Sequence, residues 1–189
     1  MTIMYIHGYG SNGNATKGQL LRRMLPQHRV VSPTFDYDHR SPWQIQDQIR
    51  ETVENEGVRA IVGSSFGGYH ALCATTFFRG TVWTINPVHD VEATIRRVVV
   101  GSGTASDAAS GFLEAYKDFD AKVFWAQSLL NRSGRWPVEV PLNFALSSDD
   151  ELLGDHRPLL DLFPCHSRVV WKDDCGHRFL RFEELDLSL

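Results

Sequence analysis

The sequence predicts an α/β fold: a mainly parallel sheet flanked by helices. Three observations lead there. Short apolar runs alternate with helix-period runs along most of the chain, the pattern of strand–crossover–strand units with right-handed connections. The 189 residues are 42% hydrophobic, enough for one sizeable core in a single domain spanning 1–189. The residues able to do chemistry follow the ends of apolar runs, and ligands of such sheets sit beyond the carboxyl ends of the strands.

The elements read in order as follows. Ile3 to Ile6 is a short strand ending at His7-Gly8-Tyr9-Gly10, and 11–14 is a polar loop. Thr16 is the expected cap of a helix to about Leu25, with Leu20, Leu21, Met24 and Leu25 on one face. Arg29 to Pro33 is a second strand, followed by the polar and aromatic loop 35–39. Ser41-Pro42 opens a helix by the rule of cap then proline, with Trp43, Ile45, Ile49 and Val53 on its apolar face and Gly57 as its stop. Val58 to Val62 is a buried strand, Gly63 to Gly67 a turn, and a helix-period run follows. Thr81 to Ile85 is a strand ending in Asn86-Pro87. Leu142 to Leu146 is another, but its alternation is too poor to give side-chain directions at its end. A helix over about Leu152 to Leu162 is interrupted by Gly154 and Pro158. Arg168 to Trp171 is the last strand, Cys175-Gly176-His177 a turn, and Phe179 to about Leu187 a terminal helix.

Residues 90–136 break the alternation. They hold a glycine- and serine-rich stretch, Gly101 to Ser106, expected as a loop, and then helical runs with Phe112, Leu113, Tyr116 and Phe119, and with Val123, Phe124, Trp125 and Leu129. These are either ordinary crossover helices or, over 100–136, a lid-like insertion that covers the catalytic edge. Phe112 and Tyr116 are its pocket candidates.

Composition narrows the classes. Net charge is −4 with no long run of like charge, so neither nucleic acid nor an anionic membrane is an expected partner. No apolar run is long enough to span a bilayer. Cys73, Cys165 and Cys175 are odd in number and lack C-x-x-C spacing, which reads as reduced thiols in a cytoplasmic protein. Neither Asp36, Asp38 and His39 nor Asp173, Asp174 and His177 has a recognisable metal spacing. No dinucleotide fingerprint and no P-loop is present, so no cofactor is indicated.

Gly63-Ser64-Ser65-Phe66-Gly67 is G-x-S-x-G between a strand and a helix, the setting of a nucleophile elbow. The turn pushes one side chain out of the sheet edge, and its crowded backbone demands small flanking residues. Only Ser65 has glycine at both required positions; Ser64 would need it where Val62 and Phe66 stand. A serine hydroxyl needs a base, an orienting acid and backbone donors for the oxyanion. An elbow is followed in chain order by the acid and then the histidine. Here Ser65 precedes Asp149-Asp150 after one strand and His177 after the last.

The other seven histidines have weaker claims. His28, His39, His156 and His166 read as exposed or loop-borne, and His70 as a packed or solvent-facing residue of the elbow helix. Val88 and His89, just after Asn86-Pro87, are candidate pocket residues. His7 is expected to shape its turn while the N–H of Tyr9 points into the site. The second oxyanion donor is the N–H of Phe66 at the start of the elbow helix.

With those residues in hand, the chain resembles the α/β-hydrolase superfamily, and more narrowly the small bacterial esterases of the YqiA type. The matching pieces are YIHGYGSN, IVGSSFGGYHA, INPV, DDELLGDHR and DDCGHRF, spread over nearly the whole chain. The resemblance implies a minimal α/β-hydrolase with Ser65 as nucleophile, His177 as base and an aspartate of DDELL as orienter. It also implies hydrolysis of small carboxylic esters with short acyl chains. The aspartate directly before Glu151, Asp150, aligns with the family's acid, and its neighbour Asp149 is expected to be a solvated loop residue. The doubled aspartate and the poor match over 100–136 depart from the pattern. Thioester hydrolysis, acyl transfer, amide or carbon–carbon cleavage and a non-catalytic binding module are the rival readings on the same fold.

Overall fold

The computed structural model describes residues 1–102, 107–136, 140–187 and 189. Six strands, β1 (Thr2–Ile6), β2 (Arg29–Val31), β3 (Val58–Ser64), β4 (Thr81–Ile85), β5 (Leu142–Ser147) and β6 (Arg168–Lys172), form one sheet in the order β2-β1-β3-β4-β5-β6. Every pairing is parallel. The chain leaves β1 towards β2 and returns on the other side of β1 as β3, so the winding reverses between β1 and β3. The loops after these two strands therefore splay apart at the carboxyl edge, where doubly wound sheets bind ligands.

Helices α1 (Thr16–Met24), α2 (Pro42–Glu56), α3 (Phe66–Ala74), α4 (Val91–Ser102), α5 (Asp107–Phe119), α6 (Trp125–Arg132) and α7 (Arg157–Leu162) complete the fold. Alternation sends strand side chains to two cores. Met4, Ile6, Ile61, Val82, Phe144 and Leu146 join α2, α3, α5 and α7 on one face. Ile3, Tyr5, Val62, Trp83 and Ala145 join Leu21 of α1 and the C-terminal Phe179 and Phe182 on the other. The inner strands β1, β3, β4 and β5 are largely buried on both faces, as a parallel sheet requires, while the edge strands β2 and β6 are partly exposed. In β5, Leu142, Phe144 and Leu146 all point to the first core, so the strand alternates more regularly than its sequence suggests.

α2 follows its signals. Ser41 accepts from the Gln44 N–H while the Gln44 side chain accepts from the Ser41 N–H, a full capping box, and Gly57 ends the helix at φ 59°. Four expectations need correction. Thr16 lies inside α1 and no side chain caps that helix, whose flanking residue is Ala15. α4 was not expected, and it takes Gly101 and Ser102 into a helix; residues 103–106 of the expected loop lie outside the described residues. The helix expected from Leu152 begins only at Arg157, because Gly154 at φ 77° turns the chain first. The terminal helix is reduced to one 3₁₀ turn, Phe182–Glu184. Glu183, Glu184 and Asp186 would all sit near the negative end of such a helix, and Phe179 takes φ 52° at its expected start.

α5 and α6 run into one another through a π-helical turn, Asp120–Phe124. α5 lies over α2, where Phe119 meets Trp43 edge-on with centroids 4.9 Å apart. No helix among the described residues is long and apolar enough to cross a membrane.

Candidate active site

Ser65 is the turn between β3 and α3. Its backbone stands at φ 55° and ψ −120°, a region costly for any side-chain-bearing residue. The surroundings over-determine it. The Ser65 N–H donates to Ile85 O, and the Ser65 carbonyl accepts from Gly68, Tyr69 and Val88 N–H groups. A Cβ on Gly67 would lie 2.2 Å from Ile6 O, and one on Gly63 would lie 2.4 Å from Gly67 O. α3 can start this close to β1 and β3 only because both positions carry no side chain.

The turn after β1 lies against the elbow. A Cβ on Gly8 would stand 3.2 Å from Ser65 Cβ and 3.7 Å from its Oγ. His7 is fully buried behind it. Its Nε2 accepts from the Phe35 N–H at 2.9 Å, so Nδ1 carries the proton and donates to Gly8 O at 2.8 Å. Burial lowers the His7 pKa, with the bond to Gly8 O opposing, which suits a neutral structural ring. The Tyr37 hydroxyl donates to His7 O. Tyr9 follows Gly8 with an exposed ring whose hydroxyl donates to Asp38 at 2.5 Å. Phe66 is the first residue of α3, so its N–H precedes any acceptor within the helix.

The sheet brings three distant residues into a row. Ser65 Oγ lies 2.9 Å from His177 Nε2, and His177 Nδ1 lies 3.0 Å from each carboxylate oxygen of Asp150. The acceptor-only carboxylate puts a proton on Nδ1 and leaves Nε2 free to accept from Ser65. Asp150 is buried. Burial pushes its carboxyl up, but hydrogen bonds from His156, His177 and the Leu153 N–H together outweigh it and hold the group well below the usual carboxylate range.

Several side chains fix the His177 turn that sequence reasoning did not single out. Glu151 accepts the His177 N–H at 2.7 Å. Asn86, at φ 41°, donates to Gly176 O and His177 O and accepts from the Ser147 N–H. Its one signal was a polar residue, tolerant of positive φ, at a strand end. Asp149 is an exposed loop residue, as expected, but it also holds the turn. One of its oxygens accepts from the Ser147 hydroxyl and from the Cys175 and Gly176 N–H groups. His156, by contrast, is not exposed as expected: it is fully buried and its Nε2 donates to Asp150 Oδ2 at 3.0 Å.

The remaining pocket candidates divide. Phe112 is half-buried and reaches the rings of Tyr9 and Phe66, at 6.2 and 5.9 Å. Tyr116 is buried against Phe66, with its hydroxyl 2.8 Å from Nε2 of His70, itself fully buried on α3. Val88 is buried and its N–H holds the elbow. His89 faces His156, with ring centroids 6.0 Å apart. A cavity of about 210 Å³ opens beside Tyr116, bounded by Val91, Leu113, Asp120 and Trp125. A larger cleft of about 420 Å³ lies between β2 and α2. Ser65, Asp150 and His177 line neither. Among the described residues no group of three or more metal-ligating side chains comes together.

A six-stranded parallel sheet with a strained serine turn after its third strand is the architecture of the α/β hydrolases, and the chain has that fold. Est1E from Butyrivibrio proteoclasticus superimposes with a TM-score of 0.66 at 14% identity, over 96% of this chain and 84% of that one. The esterase domain of a Rhodothermus marinus protein gives 0.65 at 19%, over 94% and 78%. MGS-MChE2, an α/β-hydrolase enzyme from the metagenome of lagoon sediments at Mar Chica, Morocco, gives 0.62 at 17%, over 97% and 84%. At such identities the likeness is one of fold. The model of an uncharacterised protein family, UPF0227, matches residues 2–186, and the chain belongs to that family.

Proposed function

We propose that the protein is a serine hydrolase that cleaves carboxylic esters of short acyl chains through an acyl-Ser65 intermediate. The observation that carries this reading is the row Ser65 Oγ–His177–Asp150, with 2.9 Å at the serine and 3.0 Å at the acid. The esterases and hydrolases that share the fold support it.

In this reading His177 Nε2 takes the Ser65 proton as Oγ attacks the ester carbonyl. The carbonyl oxygen becomes an oxyanion, received by the N–H groups of Tyr9 and Phe66. His177 hands its proton to the leaving alcohol, then activates the water that releases the acid. Asp150 holds the imidazole in the required tautomer and stabilises the imidazolium. Phe112 and Tyr116 of α5 form part of the acyl wall, so the helices of 100–136 serve as a cover as well as a crossover. A cytoplasmic setting is consistent with the unpaired Cys73, Cys165 and Cys175.

The test is turnover of a p-nitrophenyl ester panel of increasing chain length, beside labelling by a fluorophosphonate. Ser65→Ala is expected to lose labelling and at least ~10⁴-fold in kcat, whereas Ser64→Ala keeps both. Loss with Ser64→Ala and retention with Ser65→Ala would overturn the assignment.

A further inference from the structure

The two oxygens of Asp150 are held differently. Oδ1 accepts the N–H groups of Leu152 and Leu153, at 3.0 and 2.8 Å. Those bonds come from the aspartate's own turn, closed by the Gly154 N–H on Asp150 O at 2.9 Å. Among the described residues Oδ2 has only side-chain donors: His177 Nδ1 on one side and His156 Nε2, at 3.0 Å, on the other. The two oxygens of a carboxylate move together about the Cβ–Cγ bond, and a turn about it would carry both away from His177. The Leu152 and Leu153 N–H groups resist that turn at Oδ1, and His156 resists it at Oδ2.

His156 is built to stay put. It immediately precedes α7 and its side chain is wholly shielded from solvent. Bonding to an acceptor-only carboxylate fixes the proton on Nε2, which leaves Nδ1 as a lone pair in the neutral ring. Among the described residues, that buried Nδ1 has no hydrogen-bond partner. A buried polar atom left unpaired is a cost that an apolar side chain would avoid. The bond to Asp150 Oδ2 is what the imidazole gains against that cost.

We propose that His156 is a positioning residue for the Ser65–His177–Asp150 row: it locks the rotation of the Asp150 carboxylate so that both oxygens stay on His177 Nδ1. The inference rests on the hydrolase reading above. It makes the acid–base unit four residues long, Ser65–His177–Asp150–His156. The charged and titratable groups that face this end are His177, His89, Asp90 beside His89, and Asp155 with its partner Arg157. Arg97 adds a donor to Leu152 O, and Glu151 holds the His177 N–H.

The test compares His156→Gln with His156→Asn. Both place an amide in the same buried site, but only Gln is long enough to put an N–H where Nε2 stands. Three quantities are measured: kcat and KM on one short-chain ester, the acid limb of the kcat/KM profile, and the melting temperature. The expected result is that Gln stays within about threefold of wild type. Asn loses roughly 10–100-fold in kcat, the scale of one lost charge-assisted bond, with KM unchanged. The acid limb of the Asn variant should move to lower pH, because a carboxylate that turns away from His177 stabilises its imidazolium less. Equal kcat in Gln and Asn, or a loss that follows melting temperature without moving the limb, overturns the proposal. If the wild-type protein turns over no ester and its Ser65 is not labelled, the hydrolase reading fails instead. The downfield proton resonance of His177 Nδ1 then still decides the positioning role: it must match wild type in Gln and move in Asn, and identical resonances in both refute it.

Discussion

At the Ser65 end of the site, backbone presses on backbone; at the His177 end, side chains reach across loops to bond backbone. The elbow owes its shape to glycines whose missing Cβ atoms let α3 start within contact of β1. The turns after β5 and β6 owe theirs to Asn86, Asp149, Asp150 and Glu151, each bonded to residues far along the chain. Steric fixation is local and all-or-none, whereas polar fixation is spread over several bonds of modest individual strength. One half should therefore fail by not folding and the other by losing chemistry.

The largest expected effect is Asp150→Asn. Asn keeps the size but can present an N–H to His177 Nδ1, where an acceptor is needed. Turnover should fall by ~10⁴, roughly 5 kcal/mol of barrier, with the fold retained by circular dichroism. An unfolded variant would show that the polar half is structural as well, and the contrast would break.

Gly67→Ala tests the other half. The new Cβ would lie 2.2 Å from Ile6 O and 2.5 Å from His7 O, both backbone atoms that cannot step aside. A loss of at least ~3 kcal/mol of stability is expected, at the upper end of overpacking costs, read from a urea transition. Normal stability with normal turnover would show that the elbow has slack.

The contrast also explains what the sequence could disclose. The elbow was legible because glycine spacing is a local demand: Gly63, Ser65 and Gly67 lie within five residues. The parallel sheet followed from the alternation of strands and helices, and the Ser65, aspartate, His177 order from the strand ends. His156 was unreadable because a histidine in a glycine-containing loop looks exposed; only the fold buries it under Asp150. Asp149 looked like spare charge because the N–H groups it holds lie 26 and 27 residues away. α4 was missed because Gly101 and Ser102 read as a loop, and tertiary packing overrides such weak propensities. The terminal helix failed for a local reason that was legible, its acidic end.

Acid pH separates the halves. His70 lies on the elbow helix, fully buried between Gln46 and Tyr116, and burial pushes its pKa down to about 3. The unfolded chain takes up this proton near pH 6.5, so the folded state loses stability as pH falls from there towards 3. The slope is up to ~1.4 kcal/mol per pH unit for one group. Asp150 behaves oppositely: its lowered pKa gives stability that is complete above about pH 3.9 and lost only as pH falls through the folded value. Between pH 6 and 4, the stability gap between wild type and His70→Leu should therefore shrink, while the gap to Asp150→Asn stays flat. Parallel gaps for both variants would remove the distinction.

The smallest expected effect is Asp149→Asn, and it tests how polar fixation shares its work. The three groups bonded to Asp149, the Ser147 hydroxyl and the Cys175 and Gly176 N–H groups, all meet the same oxygen, Oδ1. An asparagine still has one carbonyl oxygen, which fits that position with its amide N–H₂ turned outward to solvent. The bonds weaken from charge-assisted to neutral but none is left unmade. Hydrogen bonds from the Ser147 hydroxyl and the Gly176 and Cys175 N–H groups also hold the Asp149 pKa low, so the charge is favoured in the fold though the geometry needs only the oxygen. Asn86 and Glu151 still grip the same turn. Asp149→Asn should thus keep kcat within about tenfold of wild type, a shift of no more than ~1.4 kcal/mol in the barrier. Asp149→Ala removes the oxygen as well and should fall clearly further, measured as kcat on the same ester. If Asn were as impaired as Ala, the charge rather than the oxygen would hold the turn. If Ala were as active as wild type, the bonds from Asn86 and Glu151 would suffice to place His177 without it.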